Sequence, residues 1–97
     1  MEICKMLTLS TLHVSPETML FLEEAVESGE VACYEKEDYG FWIFTRNYYD
    51  NIDAFHKNVP EDLFLLMGLA SAHGCDWLCL DEDGPIEEFL VTYERSC

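Results

Sequence analysis

HGCDWLCLDEDGP, residues His73–Pro85, is the stretch that decides the fold of this chain. Gly74 reads as a left-handed helix stop, and Cys75–Leu80 is an apolar run short enough for one interior strand. Asp81-Glu82-Asp83-Gly84-Pro85 is an acidic turn. A helix must therefore come before this stretch, and the strand inside it needs layers or neighbours on both sides. Pro60-Glu61-Asp62 opens that helix, with proline at the first helical position and carboxylates at the positive end of the dipole. Leu63, Leu66, Met67 and Ala70 then form its buried stripe.

Working outward, Cys4–Val14 predicts a first strand, with Leu7, Leu9 and Thr11 on one face and Met6, Thr8, Ser10 and Leu12 on the other. Ser15 can cap a helix that starts at Pro16, with Val14 stapled to Met19, and Gly29 ends it after Ser28. Its stripe is Met19, Leu22, Ala25 and Val26, leaving Glu23, Glu24 and Glu27 outside. Val31–Lys36 and Tyr39–Arg46 form a hairpin about Glu37-Asp38-Tyr39-Gly40. Phe41 and Ile43 share one face of its second strand, Trp42 and Phe44 the other. Asn47–Val59 has no sustained period and reads as a loop with a turn of helix. Ile86–Tyr93 alternates loosely and suits a fifth, edge strand.

The order strand, helix, strand, strand, helix, strand predicts an α+β fold: a split βαβ two-layer sandwich (βαββαβ) with a mostly antiparallel sheet. Right-handed crossovers place both helices on one face. Tyr34, Trp42, Phe44 and Trp77 then fall on the open face, so either a homodimer or a docked partner is expected there.

At 97 residues, 49% of them apolar, the chain supports one domain, 1–97, with one core. Its charge is lopsided: 20 Asp and Glu against 5 Lys and Arg give −15. Lys5, Lys36, Arg46, Lys57 and Arg95 are scattered, which excludes direct binding of a phosphate backbone and makes a basic surface the natural complement. The five cysteines are an odd set, and MEICKM lacks the basic and apolar regions of a secretory signal, so reduced thiols in a cytoplasmic protein are expected. No apolar run approaches the ~20 residues that span a bilayer, so no membrane partner is expected.

His73, Cys75 and Cys79 are ligand types in close sequence. On a strand, however, Cys75 and Cys79 share a face about 13 Å apart, too far for one zinc. Asp81-Glu82-Asp83-Gly84 resembles part of a calcium loop, but Glu87 and Glu88 come too early to close one, so a solvated turn is the better reading. No metal or cofactor is expected. His13 or His56 as a base, Cys33 as a nucleophile and the Asp76, Asp81 and Asp83 carboxylates are the available catalytic groups. No GxSxG, HExxH or Gly-rich phosphate loop accompanies them, so no catalytic residue is assigned.

The carboxylates recur at ~6–7 Å along strands and helical turns, about twice the ~3.4 Å axial spacing of phosphates, so the surface can occupy a site built for nucleic acid. Solubility alone accounts for the charge equally well. Aromatics interleaved with the acids, as in Tyr34-Glu35, Asp38-Tyr39 and Tyr48-Tyr49-Asp50, favour an interface. The partner-binding candidates are Glu35, Glu37, Asp38, Asp81, Glu82 and Asp83, with Tyr39 and Trp42 as anchors.

STLHVSPETM (Ser10–Met19), YGFWIF (Tyr39–Phe44), PEDL (Pro60–Leu63) and HGCDWLCLDEDGP (His73–Pro85) together resemble a family of small domains of unknown function carried by plasmids, phages and integrated elements. The resemblance supplies no catalytic residues. It implies a mobile-element context and, by association, an inhibitor of host restriction or CRISPR machinery. The function expected is therefore a non-enzymatic acidic inhibitor that covers a basic nucleic-acid-binding surface of a host complex. The alternatives are an antitoxin-like or regulatory partner of a small basic protein, and a small hydrolase using Asp81 or His13.

Overall fold

In the computed structural model, which describes residues 1, 3–29, 31–36 and 40–93, β4 (Trp77–Asp81) is an interior strand. On one side it runs parallel to β1 (Met6–Ser10), with Thr8 opposite Cys79. On the other it is antiparallel to β3 (Gly40–Phe44), with Trp42 opposite Cys79. β2 (Cys33–Lys36) completes the hairpin with β3 and forms the far edge, giving the order β1-β4-β3-β2. Two of the three pairings are antiparallel. β1 and β2 run the same way at opposite edges, joined by α1 (Pro16–Ser28), with β4 and β3 between them. This is the expected split βαβ sandwich.

Alternation along the strands sends Leu9, Cys33, Phe41, Ile43, Leu78 and Leu80 to one side, where they pack with Leu22 and Ala25 of α1 and Leu63, Leu66, Met67 and Ala70 of α3 (Glu61–Ala72). Leu22, Ile43, Leu63, Met67, Leu78 and Leu80 lose essentially all solvent contact. Each such side chain contributes roughly 1.5–3 kcal/mol of burial. Both predicted helix stops hold, at left-handed Gly29 (φ 75°) and Gly74 (φ 73°).

The two helices start side by side. Ser15 caps α1, its Oγ accepting from the Thr18 N–H at 3.2 Å. Asp62, in the first turn of α3, reaches across: its Oδ2 accepts the Ser15 N–H at 2.7 Å, and its carboxylate takes the Thr18 hydroxyl at 2.6 and 2.8 Å. One carboxylate thus satisfies donors at the start of α1 and sits in the positive field of both helix ends.

Three expectations are corrected. Asn47–Val59 carries more than one helical turn: α2 (Ile52–Asn58) buries Phe55, with Val59 following, against Tyr48, whose ring lies 6.3 Å from Phe55 and 5.3 Å from Phe64. Ile86–Tyr93 forms no strand; it is a strap tied to the end of β1 and the turn after it. The Ser10 N–H donates to the carbonyl of Pro85, just before the strap (2.9 Å), and the Tyr93 N–H of the strap donates to Leu12 O (2.8 Å). Cys75 and Cys79 do not share a sheet face. Cys75 precedes β4 in the turn after Gly74 and lies on the helix side near Leu69, whereas Cys79 faces the open side beside Lys36.

Two substitutions test this architecture. Asp62→Ala strands the Ser15 and Thr18 donors and is expected to lower the unfolding free energy in urea by about 2 kcal/mol; an unchanged midpoint would show that the helix starts are not coupled through it. A Cβ at Gly40 would stand 1.9 Å from the Leu80 carbonyl oxygen, so Gly40→Ala is expected to cost roughly 2–3 kcal/mol by forcing β3 off β4. A variant as stable as the parent would contradict that register.

Candidate functional site

The face of the sheet away from the helices carries cross-strand rows fixed by the register. One row is Thr8, Cys79, Trp42 and Tyr34; beside it stand Met6, Trp77 and Phe44; and at the other end Asp81 and Lys36 flank Gly40. Tyr34 is 56% and Trp42 36% exposed, while Phe44 and Trp77 are half-buried against one another. Trp77 is the hub, with ring centroids 5.1 Å from Phe44 in an edge contact and 6.0 Å from Tyr34. The Cys79 thiol stands between Thr8 and Trp42 in that row, with Lys36 Nζ 3.9 Å from its Sγ, and is 1% exposed although it lies on this face.

An ion pair stands at each end of the face. At one end Lys36 Nζ meets Asp81 Oδ2, reaching over the glycine column at Gly40. This bond, then the Asp83 N–H donating to Asp81, holds the Asp81 carboxyl below its ordinary value, and Asp81 holds Lys36 above its own. At the other end Arg46 Nε donates to Asp76 Oδ1 at 3.0 Å, lowering the Asp76 carboxyl, while its guanidinium lies 5.7 Å from the Phe44 ring centroid. Aromatic contact and internal charge balance thus coincide on one face of a chain that is otherwise strongly acidic.

The predicted partner-binding residues fall in several places. Trp42 and Asp81 lie together on the open face. Glu82 and Asp83 are exposed in the turn just beyond β4. Glu35 is exposed on the edge strand β2, one position along from Tyr34 and therefore on the opposite face. Glu37, Asp38 and Tyr39 lie outside the described residues; Lys36 and Gly40, which flank them, both stand beside Asp81. Asp81 is not the free carboxylate of an open turn, because Lys36 and the Asp83 N–H occupy it. Sequence reasoning missed Lys36, whose role needs the strand register; flanked in sequence by Glu35 and Glu37, it gives no local sign that Asp81 is its partner.

The groups considered for catalysis have structural partners. His13 is 2% exposed; its Nδ1–H donates to Val91 O at 2.8 Å, and its Nε2 accepts the Glu87 N–H at 3.0 Å, so both ring nitrogens hold the strap. Burial pushes the Cys33 thiol up to about 12, which keeps it protonated, and its Sγ–H points at Leu22 O. His56 packs on Phe64, ring centroids 5.0 Å apart. Among the described residues no group of three His, Cys, Asp or Glu side chains is placed to hold a metal ion, and no helix is long and apolar enough to cross a membrane.

No curated protein and no solved structure matches the chain. A family model does match, and it spans the whole sheet, both long helices and the strap. Its description carries no activity. The chain belongs to the family of unknown function DUF5983, matching the C-terminal domain of that family over residues 6–95.

Proposed function

We propose that the protein is a non-enzymatic acidic interaction module of a mobile genetic element. In this reading it acts in counter-defence, as an anti-CRISPR or anti-restriction inhibitor, by covering a basic nucleic-acid-binding surface of a host complex. The observation that carries this reading is the disposition of charge. Lys36 and Arg46 pair with carboxylates of the chain itself, and Lys5 Nζ donates to the His73 carbonyl at 2.8 Å. Meanwhile Glu23, Glu24 and Glu27 on α1, and Glu82, Asp83 and Glu88 beyond β4, stand exposed. A net −15 carried this way opposes folding through self-repulsion and favours contact with a cationic surface. The mobile-element context rests on the motif resemblance at Ser10–Met19 and His73–Pro85.

Exposed Trp42 and Tyr34 supply anchors of the kind that dominate interfaces, and Glu82 and Asp83 supply the exposed carboxylates of the turn after β4. Electrostatic steering would make association fast and salt-sensitive. The test is capture of the host partner on the tagged chain, followed by binding measurements across salt and with duplex DNA or RNA as competitor. Raising salt from about 50 to 200 mM is expected to weaken binding at least roughly tenfold, nucleic acid to compete, and E82K/D83K to weaken it further. Salt-independent binding without competition would overturn the reading. A stoichiometric complex with a small basic protein encoded beside this one, indifferent to nucleic acid, would assign the antitoxin-like role instead.

A further inference from the structure

The two edges of the sheet are built differently. β2 carries Glu35 and Lys36, the charged residues that blunt an edge against further pairing. β1, MLTLS, carries no charge and no proline, in a chain 26% charged. Its backbone polarity follows from its hydrogen-bond partners: Lys5 O accepts the Asp76 and Trp77 N–H groups of the β4 side, whereas the Ser10 N–H turns outward to Pro85 O. Residues 5, 7 and 9 therefore bond β4, and the N–H and C=O groups of Met6 and Thr8 point away from it. Among the described residues nothing bonds these outward groups.

A groove of about 410 Å³ lies along this edge on the helix side, its lining including Leu7, Leu9, Cys75 and Phe89 together with the charged residues Lys5 and Glu87. That volume is in the ~300–1,000 Å³ range of ligand sites. The strap roofs it only in part, and Phe89 is 71% exposed. A strand added beside β1 would bond Met6 and Thr8 and send alternate side chains into the groove past Leu7 and Leu9.

We infer that β1 takes an extended segment of a basic partner protein by strand addition, with alternate apolar side chains in the Leu7–Leu9–Phe89 groove and flanking Lys or Arg residues near Glu87 and Glu88. This rests on the acidic-module reading and names the element through which it engages. Charge selects the occupant: Lys5 is one cation on a chain of net −15, and a second copy would bring another −15 to the same edge.

The isotope-labelled full chain is titrated with an eight-residue peptide alternating valine and lysine. Hydrogen exchange at the Met6 and Thr8 amides is expected to slow at least tenfold, with little change at Leu7 and Leu9, which already bond β4. The same peptide methylated at every backbone nitrogen, which cannot lie against a strand edge, is expected not to protect them. Phe89→Ser, which removes no core side chain, is expected to weaken the peptide at least fivefold; unchanged binding would overturn the groove. Salt-sensitive binding that leaves Met6 and Thr8 unprotected overturns the edge site and spares the acidic-module reading. A valine–glutamate peptide that protects as well as the lysine one overturns the basic occupant and that reading with it. Protection that rises with protein concentration without peptide assigns the edge to a second copy and overturns the peptide site.

Discussion

The structure depends on β4 reaching β1 across nearly the whole chain and pairing with it in parallel, Leu7 to Leu78 and Leu9 to Leu80. Parallel neighbours cannot be joined by a short turn, so everything between them has to serve as connection. α1 carries the chain over to the far edge, the β2–β3 hairpin returns toward the middle, and α2 with α3 brings it back to the start of β4. The closing pair buries Leu78 and Leu80 completely and brings Asp62 of α3 to the cap of α1. If that pairing is lost, the two helices share neither a core nor their common carboxylate.

The same pairing sorts the charge. Asp81 and Asp76, at the two ends of β4, draw Lys36 and Arg46 onto the open face, where the aromatic rings gather around Trp77. Two of the five cationic side chains are thereby spent on one face, and the acidic excess is left to α1 and to the turn and strap beyond β4. The molecule consequently offers three different surfaces: an aromatic face with balanced charge, a carboxylate-rich exterior, and the uncharged edge of β1. A partner that engages the second and third together would gain steering from one and backbone register from the other.

Much of this was legible in the sequence because its causes are local. Ser15-Pro16, Pro60-Glu61-Asp62, Gly29 and Gly74 mark helix ends through capping and backbone preference. Leu63, Leu66, Met67 and Ala70 mark a face by their period, and each is buried. What escaped depends on tertiary partners. α2 has too few apolar positions to announce itself, although Ile52, Phe55 and Val59 lie at helical spacing, and it is fixed by Tyr48 and Phe64. Ile86–Tyr93 alternates like a strand, but His13 grips it at Val91 and Glu87 and holds it away from ladder geometry. The Lys36–Asp81 pair is invisible without the register that puts Gly40 between them.

The family match covers residues 6–95 and names a domain without an activity, so the physical surfaces carry the functional argument. The central proposal is that this chain places carboxylates where a partner expects nucleic acid. A structure of the protein bound to the partner it captures from its host tests this most directly. The account predicts Lys and Arg side chains of the partner's nucleic-acid path meeting exposed carboxylates such as Glu82 and Asp83, with that path occluded. A complex in which the acidic surface faces solvent and the partner's nucleic-acid path stays open would contradict it.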